Sequence, residues 1–90
     1  MLGSVAFEID YEAAEHPHQQ IAAWLRQRIR GGEFAPGQRL PTERRIQEET
    51  GAAATTTRRA MRLLVKEGLV RTVPSRGNYV RPREEWNRPA

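Results

Sequence analysis

A mainly α domain with a small β-hairpin is the fold this sequence predicts, and three observations point to it. The stretch from Pro41 to Lys66 reads as two short helices separated by a tight turn at Gly51. A longer apolar-periodic segment precedes it, with Ile21, Trp24, Leu25 and Ile29 recurring at helical spacing. Behind it, Val70 to Val73 and Tyr79 to Val80 flank Pro74-Ser75-Arg76-Gly77-Asn78, a hairpin with Arg76 at its tip. Three helices followed by such a hairpin make a winged helix-turn-helix, with the hairpin as the wing.

Residues 1–16 form an N-terminal arm or a short strand. Val5, Phe7, Ile9 and Tyr11 alternate with Ala6, Glu8 and Asp10, which is a strand pattern, and an extended arm docked on the body fits the same alternation. The domain proper is expected over 17–81. Its first helix starts near Pro17, whose fixed φ suits a first turn, and stops at Gly31-Gly32. Of its periodic residues, all but Arg28 belong to the core. Pro36-Gly37 predicts a type II turn, after which Arg39 and Leu40 resume an extended path as a small strand.

Thr42 caps the second helix, which runs to Thr50 and carries Ile46 as its one large apolar residue, so its neighbours must hold it. The third helix, from about Thr55, buries Thr57, Ala60, Met61, Leu64 and Val65. Thr55, Arg59, Arg62 and Lys66 occupy the opposite face. Gly68 stops it. Residues 82–90 read as a flexible charged tail, with Trp86 as an anchor.

Charge separates along the chain. Residues 1–16 hold four acids and no Lys or Arg, whereas Thr55 to Arg83 holds eight basic residues against the single acid Glu67. One end of the molecule is built to meet anions. An amphipathic helix with a solvated basic face would look the same in isolation. The short turn before the third helix and the basic hairpin after it favour DNA. A hairpin with Arg71, Arg76 and Arg81 and no acid suits a phosphate backbone or a minor groove, although edge charges also keep ordinary hairpins monomeric.

Other chemistry finds little support. The chain has no cysteine, which excludes disulfides and thiolate sites. His16 and His18 have no metal-ligating partner at a usual spacing, so no metal is expected. Glu48-Glu49 and Glu84-Glu85 come without a nucleophile or a phosphate-binding glycine loop, so no enzyme and no cofactor are expected. No run is long enough for a membrane span and the N-terminus lacks signal-peptide features, from which a cytoplasmic protein is expected.

Taken together, PHQQIAAWLRQRIRGGEFAPGQRLPTERRIQEETG, TTTRRAMRLLVKEGLV and SRGNYV closely resemble the DNA-binding domain of the GntR family of bacterial transcription regulators, from about Pro17 to Val80. The resemblance implies a sequence-specific, operator-binding winged helix, usually a repressor. It places base or phosphate contacts on Arg44, groove contacts on Thr55, Thr56 and Arg58, and wing contacts on Arg76 and Gly77. Arg59 and Arg62 join the DNA-binding set from the helical wheel, and Thr42 from its place at the start of the second helix, where a phosphate is expected. Double-stranded DNA is the expected partner, with a homodimer on DNA as an option through the 5–11 segment. The competing reading is a winged helix used for protein contact in a nucleoprotein complex, with Leu63 as a contact.

Two features depart from the family pattern. Ala52, Ala53 and Ala54 stand where an apolar residue, then Ser or Thr, then Arg is usual, and Thr50 stands where a larger apolar residue is common. No small-molecule effector domain lies in these 90 residues, so the chain is either a fragment of a longer regulator or a short member without ligand control.

Overall fold

The computed structural model describes residues 7–86. Three α-helices, α1 (Pro17–Arg30), α2 (Glu43–Thr50) and α3 (Ala54–Lys66), are followed by β1 (Val70–Val73), β2 (Gly77–Val80) and a 3-10 turn, Arg83–Glu85. This is the winged helix-turn-helix that the apolar spacing predicts.

Local chemistry sets the helix ends. Pro17 opens α1 while the Gln19 side chain accepts the His16 N–H at 2.8 Å, satisfying a donor that the helix leaves free. Thr42 Oγ1 accepts the Arg45 N–H at 3.1 Å and so caps α2. Gly51 ends α2 at φ 75°, a conformation costly for a side chain, and its N–H reaches Gln47 O at 2.7 Å. Only two residues then separate Gly51 from α3. The N-cap of α3 is Ala53, which offers no side-chain oxygen.

Packing follows from these ends. Ile21, Leu25 and Ile29 of α1, Ile46 of α2 and Leu64 of α3 are fully buried in one cluster with Leu69 and Val70. Thr57, Ala60 and Met61 complete the inner face of α3, and Thr57 satisfies its hydroxyl by donating to Ala53 O at 3.1 Å. Val65 and Trp24 are half-buried at the rim of the core rather than within it. Leu63 likewise packs against the core and is half-buried. At the far end, Arg26 and Glu67 tie α1 to the end of α3 through a two-pronged ion pair of 2.7 and 2.6 Å.

Arg28 stays outside the apolar core, as expected, but is packed at its edge. Its guanidinium lies 4.7 Å from the ring centres of both Trp24 and Phe34 and bonds Glu33, with Glu49 of α2 at 3.9 Å. A cation flanked by two rings holds α1, the following loop and α2 in one place.

The arm takes the docked form rather than a strand. Val5 and Ala6 lie outside the described residues, and 7–11 contain no strand. Phe7 stacks on Trp24 with ring centres 5.0 Å apart. Gln20 exchanges hydrogen bonds of 2.9 and 2.8 Å with the Asp10 backbone, taking the groups a neighbouring strand would use. Tyr11 stays exposed.

In the wing, β1 and β2 pair antiparallel, Val70 with Val80 and Val73 with Gly77. The second strand therefore starts two residues earlier than the sequence suggests, because Arg76 N–H bonds Val73 O at 2.9 Å and closes the turn early. The expected strand before α2 is reduced to a single bridge, Arg39 to Tyr79, with Leu40 N–H on Asn78 O beside it. Trp86 anchors the segment after the wing, as its sequence suggested. The Trp86 indole donates to Arg81 O at 2.8 Å, and the Arg30 and Arg83 guanidiniums lie within 6 Å of its ring. Residues 87–90 of the expected tail lie outside the described part.

Two stability measurements follow. Ile46 is the one large apolar anchor of α2, so Ile46→Ala should cost about 2 to 5 kcal/mol in urea unfolding, and a loss below about 1 kcal/mol would show that α2 is held otherwise. Ala53→Ser supplies the missing cap and should raise stability by about 1 kcal/mol, whereas no gain would mean that the N-terminus of α3 is satisfied without it.

Candidate nucleic-acid interface

Because Thr57, Ala60, Met61 and Leu64 face inward, helical geometry turns Thr55, Arg58, Arg59, Arg62 and Lys66 outward, and all five are exposed. Thr56 is half-buried. The outer face has two sides. Arg58 and Arg62, four residues apart, border a cleft of about 310 Å³ with Glu43 of α2 and Thr72 of the wing. Arg59 lies instead beside the start of α1. There burial, the charge of His16, whose ring stacks at 5.7 Å, and the charge of Arg59 hold the His18 imidazole below its ordinary pKa. A basic surface thus spans from the wing to the first turn of α1.

The carboxylates nearby act within the protein. Glu43 Oε1 lies 3.6 Å from Arg58 Nε, an α2 to α3 pair that steers the arginine without burying it. Arg44 is 90% exposed in its side chain and only loosely approached by Glu48 at 3.9 Å. Thr42 stands at the same edge, but its hydroxyl is occupied in capping α2. Arg76 is exposed at the last position of the wing loop. Ser75 in that loop takes φ 66°. Gly77 is half-buried at φ 122° where β2 begins. Of the sequence-predicted residues, Thr42, Arg76 and Gly77 border one cleft and Arg58 and Arg62 another, and Glu43 and Thr72 line both.

Sequence reasoning passed over Arg39 and Thr72. Thr72 bonds Asn78 across the wing at 2.6 Å and faces the Arg58 cleft. Arg39 reaches the wing loop, where its Nη1 donates to Arg76 O at 3.4 Å. No spacing signal marks either one; only the fold brings residue 39 against residue 76. Among the described residues no cluster of metal-ligating side chains occurs, and no helix is long and apolar enough to cross a membrane.

The alanine run divides into three roles. Ala52 is buried, Ala53 caps α3 and Ala54 is the exposed first residue of the helix. Thr50, also unusual, is buried with its hydroxyl donating to Ile46 O at 2.8 Å and accepting the Ala52 N–H at 3.2 Å. A larger apolar residue there would forgo both bonds.

Comparison with known proteins agrees with this architecture. A family model described as bacterial regulatory proteins, gntR family, matches residues 17–80. The mannosyl-D-glycerate transport/metabolism system repressor MngR of Escherichia coli is 39% identical over 64 residues, 71% of this chain and 27% of that protein. The chain thus spans about a quarter of the length of the curated relatives it matches. The solved structure of YtrA from Sulfolobus acidocaldarius, a GntR-family transcription factor, superposes with a TM-score of 0.76 at 31% identity over 89% of this chain and 83% of that one. The AraR DNA-binding domain in complex with operator ORE1 gives a TM-score of 0.75 at 26% identity over 86% and 96%. The outward basic face of α3, the wing and these matches lead to one assignment: the chain belongs to the gntR family of bacterial regulatory proteins, which are DNA-binding transcription regulators and not enzymes.

Proposed function

We propose that this chain is the operator-binding module of a transcription repressor, with α3 in the major groove and the wing on the adjacent backbone or minor groove. The observation that carries this reading is the outer face of α3, where Thr55, Arg58, Arg62 and Lys66 are exposed beside an arginine-bearing wing. In the reading, Thr55 and Thr56 contact the groove and Arg58 and Arg62 approach bases or phosphates. Arg44 meets the backbone at the edge of α2. Arg59 reaches the backbone on the side of α1, and Arg76 with Gly77 supplies the wing contact. Thr42 acts through its cap, by holding the start of α2 in place. Relatives named as repressors, MngR of Escherichia coli and NagR of Bacillus subtilis, support the direction of control.

A protein-contact role has less to stand on. Tyr11, far along the chain from α3, is the one large apolar side chain that is highly exposed among the described residues. Leu63 is half-buried. A homodimer on a palindromic operator belongs to the proposed reading, with half-sites about one helical turn apart. Because Phe7 is engaged with Trp24 of its own chain, that dimer would not depend on strand pairing through this residue.

Two measurements test the reading. Log affinity for duplex DNA should fall linearly with log salt, with a slope of about 0.9 per phosphate neutralised, and Arg76→Ala should weaken binding at every salt concentration. A salt-independent affinity, or a wing variant binding like the parent, contradicts it. Selection of bound fragments from a random library should also yield a different consensus for the Ala53→Ser/Ala54→Arg double variant, since an arginine on a guanine edge discriminates by about 1 to 3 kcal/mol. An unchanged consensus would show that this end of α3 does not read bases.

A further inference from the structure

Between the wing and the start of α2 lies a cleft of about 370 Å³ bordered by Arg39, Thr42, Thr72, Ser75 and Arg76. Its own hydroxyls are partly committed, Thr42 to the α2 cap and Thr72 to Asn78. Glu43 adds a carboxylate at the first position of α2. Arg44 and Arg45 of α2 do not border this cleft, so a phosphate seated in it needs a cation from outside α2.

Arg39 is placed to be that cation. Its side chain passes over Gly77, where an added β-carbon would come within 3.2 Å of Cδ and 3.6 Å of Cγ. The absence of a side chain at position 77 leaves the path open. The guanidinium then reaches the wing loop and donates to Arg76 O at 3.4 Å, while the Arg39 backbone bridges Tyr79 of β2. Arg39 is exposed, and among the described residues no carboxylate lies within ion-pair distance of it. Arg58 and Arg81 differ, being paired with Glu43 and Glu85. A guanidinium has five N–H donors, and the bond to Arg76 O uses one of them.

We propose that Arg39 is a phosphate-binding residue: a phosphate of the duplex backbone seats in the cleft between the wing and α2, held by the Arg39 guanidinium with Arg76 beside it. This rests on the DNA-binding reading above. It also gives Gly77 a second role, that of clearing the path of Arg39.

The test is a salt titration of the full chain against a short random-sequence duplex, read by fluorescence anisotropy for the parent, Arg39→Gln and Arg39→Lys. Salt-dependent binding by the parent is the first readout, and its absence removes the DNA-binding reading itself. Given that binding, Arg39→Gln should lower the slope of log affinity against log salt by about 0.9 per bound protomer, and Arg39→Lys should keep the parental slope. A brace that only bonds the Arg76 carbonyl predicts otherwise: the slope would be parental in both variants. A parental slope in Arg39→Gln overturns the proposal, as does an equal loss in both variants. Thermal melting confirms that each variant is folded, and Arg39→Met, similar to the arginine stem in length, is the neutral variant should Arg39→Gln unfold.

Discussion

The burial of one face of α3 is the constraint on which the rest depends. Thr57, Ala60, Met61 and Leu64 recur every three or four residues and are removed from water in one cluster with Ile21, Leu25 and Ile29. Once that face is committed, the rotation of the helix about its axis is set and Thr55, Arg58 and Arg62 have only the outside to occupy. The α1 to α3 contact is the largest between helices, and the Arg26 to Glu67 pair locks its far end. The outward basic face of α3 is thus a by-product of core packing. A helix with the same basic residues but a rotated apolar stripe would present a different surface.

α2 depends on less. It has eight residues, one large buried side chain and a buried threonine, too little to be stable alone. Polar contacts supplement Ile46: the Thr42 cap, the Glu43 to Arg58 pair across to α3, and Arg28 reaching Glu49 from its place between Trp24 and Phe34. Charges in this region therefore divide by task. The carboxylates Glu33, Glu43 and Glu49 pair with arginines of the same chain, whereas Arg76 has no ion-pair partner among the described residues and Arg44 is only loosely paired.

Helix ends and the core stripe were legible in the sequence because their causes are local. Thr42, Gly51 and Gly68 act within a few residues of themselves, and helical spacing alone separates Leu64 from Arg62. What escaped is tertiary. The Arg28 sandwich requires Phe34 to fold back onto α1, and although Trp86 was visible as an anchor, its partner, the Arg81 carbonyl, was not. The apolar alternation of the arm suited a strand equally well until Gln20 took the Asp10 backbone groups and Phe7 found Trp24. The same limit applies to the interface. Thr55 and Arg62 were visible on a wheel, but the separation of Arg59 from Arg58 and the approach of Arg39 to the wing need the positions of α1 and β2.

Family membership accounts for the architecture, and the alanines at 52–54 shape the start of α3. Ala52 serves the core, Ala53 leaves α3 without a side-chain cap, and Ala54 presents a methyl group where a groove-reading side chain would stand. In the proposed reading, recognition shifts along α3 toward Thr55, Arg58 and Arg62 and onto the wing. The most direct measurement is a map of backbone amide shifts by NMR as a duplex fragment is added. The account predicts the largest changes at Thr55 to Arg62 and at Ser75 to Gly77, with little change around Trp86. Changes centred on the Trp86 end of the molecule, with α3 unmoved, would contradict it.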